Sequence, residues 1–323
     1  MTVEHIPVQS DAESGGAKGS GVKKVFELIQ KANADSKKLQ PTKADLFQVL
    51  RKHWNALTTP KAIIADMAQF AETLIALERG ILPARWSKSL KRAIGRLHEM
   101  GAPSSLYAFA LRLVRETELG NVPESDAVDI LSLLESFLFR RAISGYEPTG
   151  LHAVFKGMWK EITDAGGGVN AEAVAARIRS RGTVPWPNDH EFSEAIRKSD
   201  LYSRKVAKYA LRQYEEACDG ETPQDDFEIE HILPRTPKPE WAELFGDNYA
   251  RLLHTWANLV PITRSMNPAV GQLGFDSKRV EFSGSMFTST RKIAEEFESW
   301  SASDVEQRAN DLAAWAVERW PTR

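Results

Sequence analysis

The chain has 323 residues, 42% hydrophobic and 27% charged, with a net charge of −2. That composition fits a soluble globular protein long enough for two domains, and excludes a generic, strongly basic nucleic-acid coat. One cysteine, Cys218, excludes disulfides within the chain and a cysteine-built zinc site, and fits a reducing cytoplasm. No apolar run is long enough to span a membrane, and the N-terminus lacks the apolar core of a secretory signal.

Residues 1–22 are rich in Gly, Ser, Ala and Lys and read as a flexible tail. Thr42 is placed to cap a helix over 43–50, and Pro60 to open the next helix at its first turn. Further helices are predicted over 86–100, 103–117, 124–143 and 151–163. In the third of these, Val128, Leu131, Leu134 and Phe137 recur at helical spacing. Asn170 caps a helix through Ile178, a short helix spans 192–196, and one long helix is expected over 201–217. Residues 218–226 form a polar entry loop. Phe227 to Leu233 alternates apolar and polar residues like a half-buried strand, and Leu259-Val260-Pro261-Ile262 is a second strand candidate. A helix over 266–272 and two closing helices over 289–300 and 303–320 complete the reading.

The first strand carries Glu230-His231-Ile232-Leu233-Pro234; Ala257-Asn258-Leu259 and Met266-Asn267-Pro268 follow in order. Each residue type has a use in phosphodiester hydrolysis. A neutral imidazole can take a proton from water near neutral pH, so His231 is the candidate base. A hard cation such as Mg²⁺ accepts oxygen ligands, so Glu230 and the side-chain carbonyl of Asn267 are candidate metal ligands, with Mn²⁺ as the alternative ion. Asn258 is expected to hold the loop or the imidazole by hydrogen bonds. Neighbouring strand residues point to opposite faces, so the pair must sit where the strand ends and Pro234 turns the chain. A Glu-His dipeptide alone is weak: Glu4-His5-Ile6-Pro7 repeats it without partner asparagines downstream and is read as a chance match. His254 reads as a helix-face histidine beside Trp256. Arg85, Lys88, Arg92 and Arg96 share one face of the helix over 86–100, opposite Trp86, Leu90, Ile94 and Leu97. That face is read as a solvated one rather than a DNA or partner surface.

The ordered constellation resembles an HNH (ββα-metal) nuclease site. From about Glu135 onward the chain resembles the C-terminal half of GmrSD-type modification-dependent restriction endonucleases. The same nuclease module occurs in related phage-defence proteins, including ones that sense phosphorothioate-modified DNA. The likeness rests on Glu135-Ser136-Phe137-Leu138-Phe139-Arg140-Arg141, the Glu-His-Ile-Leu-Pro element, Trp241, Asn258, Asn267 and Phe275-Asp276-Ser277-Lys278-Arg279. It implies His231 as general base, Glu230 and Asn267 at the metal, Asn258 as the supporting asparagine, and Lys278 at a DNA phosphate. Ala257 departs from the family, which has glycine there. The chain also lacks a P-loop and a nucleotide-hydrolysing N-terminal half. The resemblance then implies an NTPase or specificity subunit as partner, or an N-terminal domain missing from this chain.

The expected fold is mainly α. A tail over 1–22 precedes a multi-helix domain over 23–221, and a small HNH (ββα-metal) module with C-terminal helices follows over 222–323. The expected activity is Mg²⁺-dependent cleavage or nicking of DNA in the cytoplasm, in restriction of phage or modified foreign DNA. Two other readings stay open: a partner-binding helical module with a relic site, and an RNA-directed nuclease or toxin. Convergence of Glu230, His231 and Asn267 on one pocket separates the first of these from catalysis.

Overall fold

A computed structural model describes residues 59–219, 226–266, 271 and 273–322. The tail, the helix after Thr42, the Glu4-His5 match and Asn267 lie outside the described residues. The described chain is mainly helical, and its strands form one two-stranded sheet. The described residues divide into two compact units, one over 59–135 and 148–185, the other over 136–147 and 186–322.

In the first unit, helix α1 (Pro60–Arg79) begins as the sequence predicts. The Thr59 side chain accepts from the Ala62 amide, and Pro60 supplies a first-turn residue whose missing N–H costs nothing. Gly80, with φ of 69°, closes the helix in the left-handed region, and a Cβ there would collide with the His98 ring at 2.7 Å. Helices α2 (Lys88–Glu99) and α3 (Tyr107–Glu118) pack on α1. Leu90, Ile94 and Leu97 of α2 are buried, together with Trp86 just before it, as their spacing predicts. The basic face opposite is partly neutralised: Arg85 pairs with Glu72 and, at 2.6 Å, with Glu118.

Helix α4 (Glu124–Ile143) has the predicted bounds. The single helix expected over 151–163 is two, α5 (Leu151–Phe155) and α6 (Met158–Asp164). Gly157 breaks them at φ of 71°, a conformation open to glycine at little cost. Asn170 caps α7 (Ala171–Arg179) through the Ala173 amide.

The second unit comprises α8 (Asp189–Lys198), α9 (Ala207–Asp219), β1 (Glu228–His231), α10 (Pro239–Phe245) and α11 (Asn248–Leu252). These are followed by a 3₁₀ turn (Trp256–Asn258), β2 (Leu259–Ile262), α12 (Phe275–Ser283), α13 (Thr288–Glu296) and α14 (Ala302–Arg319). The long helix expected from 201 begins only at Ala207, because residues 199–206 turn beneath the site described below. The helix expected over 266–272 lies, apart from Met266 and Gly271 in turns, outside the described residues, and the next described helix is α12.

β1 and β2 are antiparallel, with Glu230 opposite Val260 and His231 opposite Leu259. All four β2 residues are buried, which explains their unbroken apolar sequence. Helices α9 and α13 pack against β2. Beside them lies an aromatic core in which Phe139 stacks on Trp320 at 3.9 Å and meets Tyr209 and Trp256 edge-on. Such ring pairs contribute about 0.5–1.5 kcal/mol beyond the area they bury. Arg140, fully buried, ties this core together: its guanidinium bonds the Pro187 carbonyl, pairs with Asp189 at 2.7 Å and lies over the Phe192 ring.

Candidate active site

β1 ends at His231, and alternation along the strand separates its last two side chains. The Glu230 carboxylate meets the Lys278 ammonium of α12 at 2.6 Å. The same ammonium donates to the His231 backbone carbonyl at 2.7 Å. Lys278 has no exposed surface and Glu230 is 9% exposed. Burial pushes Glu230 up and Lys278 down from their ordinary pKa values, and their attraction opposes both shifts. The short contact and the second acceptor on the lysine mark a charged pair. A buried amine engaged in this way does not reach a DNA phosphate, so Lys278 stands behind Glu230 rather than at the surface expected for it.

The His231 imidazole, 5% exposed, turns the other way. Its Nε2 lies 3.0 Å from Nδ1 of His254. Burial, and then the positive surroundings of His254, Arg235 and Lys278, push its pKa down to about 3, with Asp200 in partial opposition. Burial thus favours the uncharged ring. His254 is not on a helix face: it sits in the turn after α11, facing His231. Its position 23 residues downstream gave no signal of that contact in the sequence.

After His231 the chain leaves the sheet along Asn258. The Asn258 carbonyl accepts from the Ile232 amide at 3.0 Å. Its side-chain oxygen accepts from the Leu233 amide at 2.7 Å and from the Trp300 indole at 3.2 Å. Its NH₂ donates to the Leu233 carbonyl at 3.1 Å and the Leu253 carbonyl at 2.8 Å. Both donors and the acceptor oxygen are thus engaged in a residue with no exposed surface. Asn258 holds the loop, not the imidazole itself. Tyr249 donates to the Pro234 and Arg235 carbonyls, and buried Arg308 donates to those of Ala257 and Leu259. Ala257 needs no glycine: among the described residues only glycines take a positive φ, and Ala257 lies in the 3₁₀ turn.

Among the described residues, no group of three or more His, Cys, Asp or Glu gathers as a metal cage. Mg²⁺ needs no such cage, since one or two protein oxygens plus substrate and water suffice. The donor set fits that ion on one observation: the Lys278 ammonium takes only one of the two carboxylate oxygens of Glu230.

Comparison with known families finds a similarity confined to part of the chain. Residues 186–315 match the family described as GmrSD restriction endonucleases, C-terminal domain. The resemblance read from the sequence is thereby borne out over a span shorter than the one beginning at Glu135. The matched span starts where the second compact unit resumes and contains β1, β2 and α12. No curated protein matches the chain.

Proposed function

We propose that this chain is a metal-dependent HNH endonuclease that cleaves or nicks DNA in restriction of phage or modified foreign DNA. The observation that carries the reading is a buried imidazole at the end of β1 whose neighbouring carboxylate, on the other side of the strand, is held by a buried lysine, within a span that matches restriction endonucleases. His231 takes the proton from the attacking water as its oxygen bonds to phosphorus and the P–O3′ bond breaks. Glu230 and Asn267 are the residues that would hold Mg²⁺. When bound, that ion supplies charge neutralisation at a non-bridging oxygen and at the departing 3′ oxygen. Lys278 fixes Glu230, and Asn258 fixes the exit loop. DNA is the partner, with an NTPase or specificity subunit, or a further domain, as the source of control.

His231→Ala is expected to abolish plasmid nicking in Mg²⁺ while leaving the circular dichroism spectrum of a folded protein intact. Loss of a general base lowers rate by ~10²–10⁴. Unchanged nicking by the variant would sink the assignment.

One observation favours a second reading. The Lys278 ammonium already neutralises Glu230, as a metal would, and a relic site used only for partner binding could be stabilised that way. Absence of Mg²⁺-dependent cleavage across modified and unmodified DNA and RNA, with the fold intact, would select it. Cleavage of RNA alone would instead select the ribonuclease reading.

A further inference from the structure

Two histidines, one tyrosine and one asparagine form a single assembly around the candidate base. Nε2 of His231 and Nδ1 of His254 are 3.0 Å apart. Tyr202 lies parallel to the His254 ring at 5.4 Å and edge-on to His231 at 4.5 Å. The His254 backbone carbonyl accepts from the Leu201 and Tyr202 amides, and Asp200 bridges to Thr255. Asn258 then fixes the spacing of the two imidazoles. Its NH₂ bonds the carbonyl of Leu233, two residues after His231, and that of Leu253, one residue before His254.

The chemistry of a neutral imidazole decides which way the hydrogen bond runs. Such a ring has one N–H and one lone pair. If His254 donated, His231 Nε2 would be the acceptor, its proton would sit on Nδ1, and no lone pair would be left for water. A base is possible only if His231 Nε2–H donates to His254 Nδ1. Nδ1 of His231, which has no hydrogen-bond partner among the described residues, then carries the free lone pair.

We propose that His254 is a positioning residue for His231: it accepts the Nε2–H hydrogen bond, and so fixes both the tautomer and the orientation that expose Nδ1 to the attacking water. The role rests on the nuclease reading above, but the tautomer can be read without any activity. Selective ¹⁵N labelling of histidine, with His231 assigned through its own variant, is expected to show protonated Nε2 and unprotonated Nδ1 in the wild-type protein. His254→Ala is expected to mix the two tautomers and to lower kcat for nicking by roughly 10²-fold, the scale of a misplaced catalytic group, with KM unchanged. His254→Asn places an acceptor oxygen near the lost Nδ1 and is expected to recover most of kcat; it also covers the case in which the alanine variant fails to fold. A wild-type His231 protonated at Nδ1 overturns the proposal, and so does full kcat in His254→Ala while His231→Ala is inactive. Nicking retained by His231→Ala overturns the nuclease reading, and the catalytic half of this one with it.

Discussion

Lys278→Met removes the ammonium from a contact with no exposure on one side and 9% on the other. Methionine fills much of the stem's volume, so the penalty is mainly electrostatic. Glu230 must then remain charged without a partner or take up a proton. For a carboxyl of ordinary pKa 4.5, protonation costs about 3.4 kcal/mol at pH 7 and about 0.7 kcal/mol at pH 5. That cost caps the carboxylate's share of the loss. The His231 carbonyl also loses its donor, at about 1 kcal/mol. The variant should therefore be less stable than wild type by about 4 kcal/mol at pH 7 and about 2 kcal/mol at pH 5. The sign follows from Glu230: left alone, its folded pKa lies above its unfolded value, so its contribution is present at low pH and lost as pH rises. Urea unfolding at the two pH values measures this, and the double variant with Glu230→Gln should recover most of the difference at pH 7. An equal penalty at both pH values, or no recovery in the double variant, would refute the buried pair.

Asn258→Ala should cost about 3–5 kcal/mol, since it leaves polar groups of Leu233, Leu253 and Trp300 buried without partners. Denaturation that stays within 1 kcal/mol of wild type would show the clamp to be dispensable. Stability should also fall as pH drops from about 6.5 towards 3. Over that range the unfolded chain protonates His231 and the folded chain does not, which adds at most about 1.4 kcal/mol per pH unit. His231→Gln should flatten that slope; an unchanged slope would place the responsible group elsewhere.

The strands were legible from short apolar, β-prone segments rather than from alternating burial, which β1 lacks and β2 replaces with burial throughout. Leu259–Ile262 has its predicted bounds, and β1 lies inside the predicted segment. The cap at Asn170 was legible for a local reason: the bond spans three residues. The misreadings share the opposite cause. Lys278 was expected at a phosphate, but its partner is 48 residues away, and a lone lysine carries no mark of burial. His254 looked like a helix-face residue until the turn after α11 brought it to His231. The helix expected over 151–163 ran through Gly157, whose φ of 71° breaks it in two. Helices α10 and α11, which separate the strands, were not predicted, being only seven and five residues long.

Asn258 draws one of its four side-chain bonds from Trp300, and the turn that contains it is held by Arg308. Both supports are made late in synthesis. A chain still emerging from the ribosome, or one cut short before Trp300, carries His231, Glu230, Asn258 and Lys278 but neither downstream support. The motif and the finished site are therefore separate achievements of this polypeptide: a fragment can hold the first without the second.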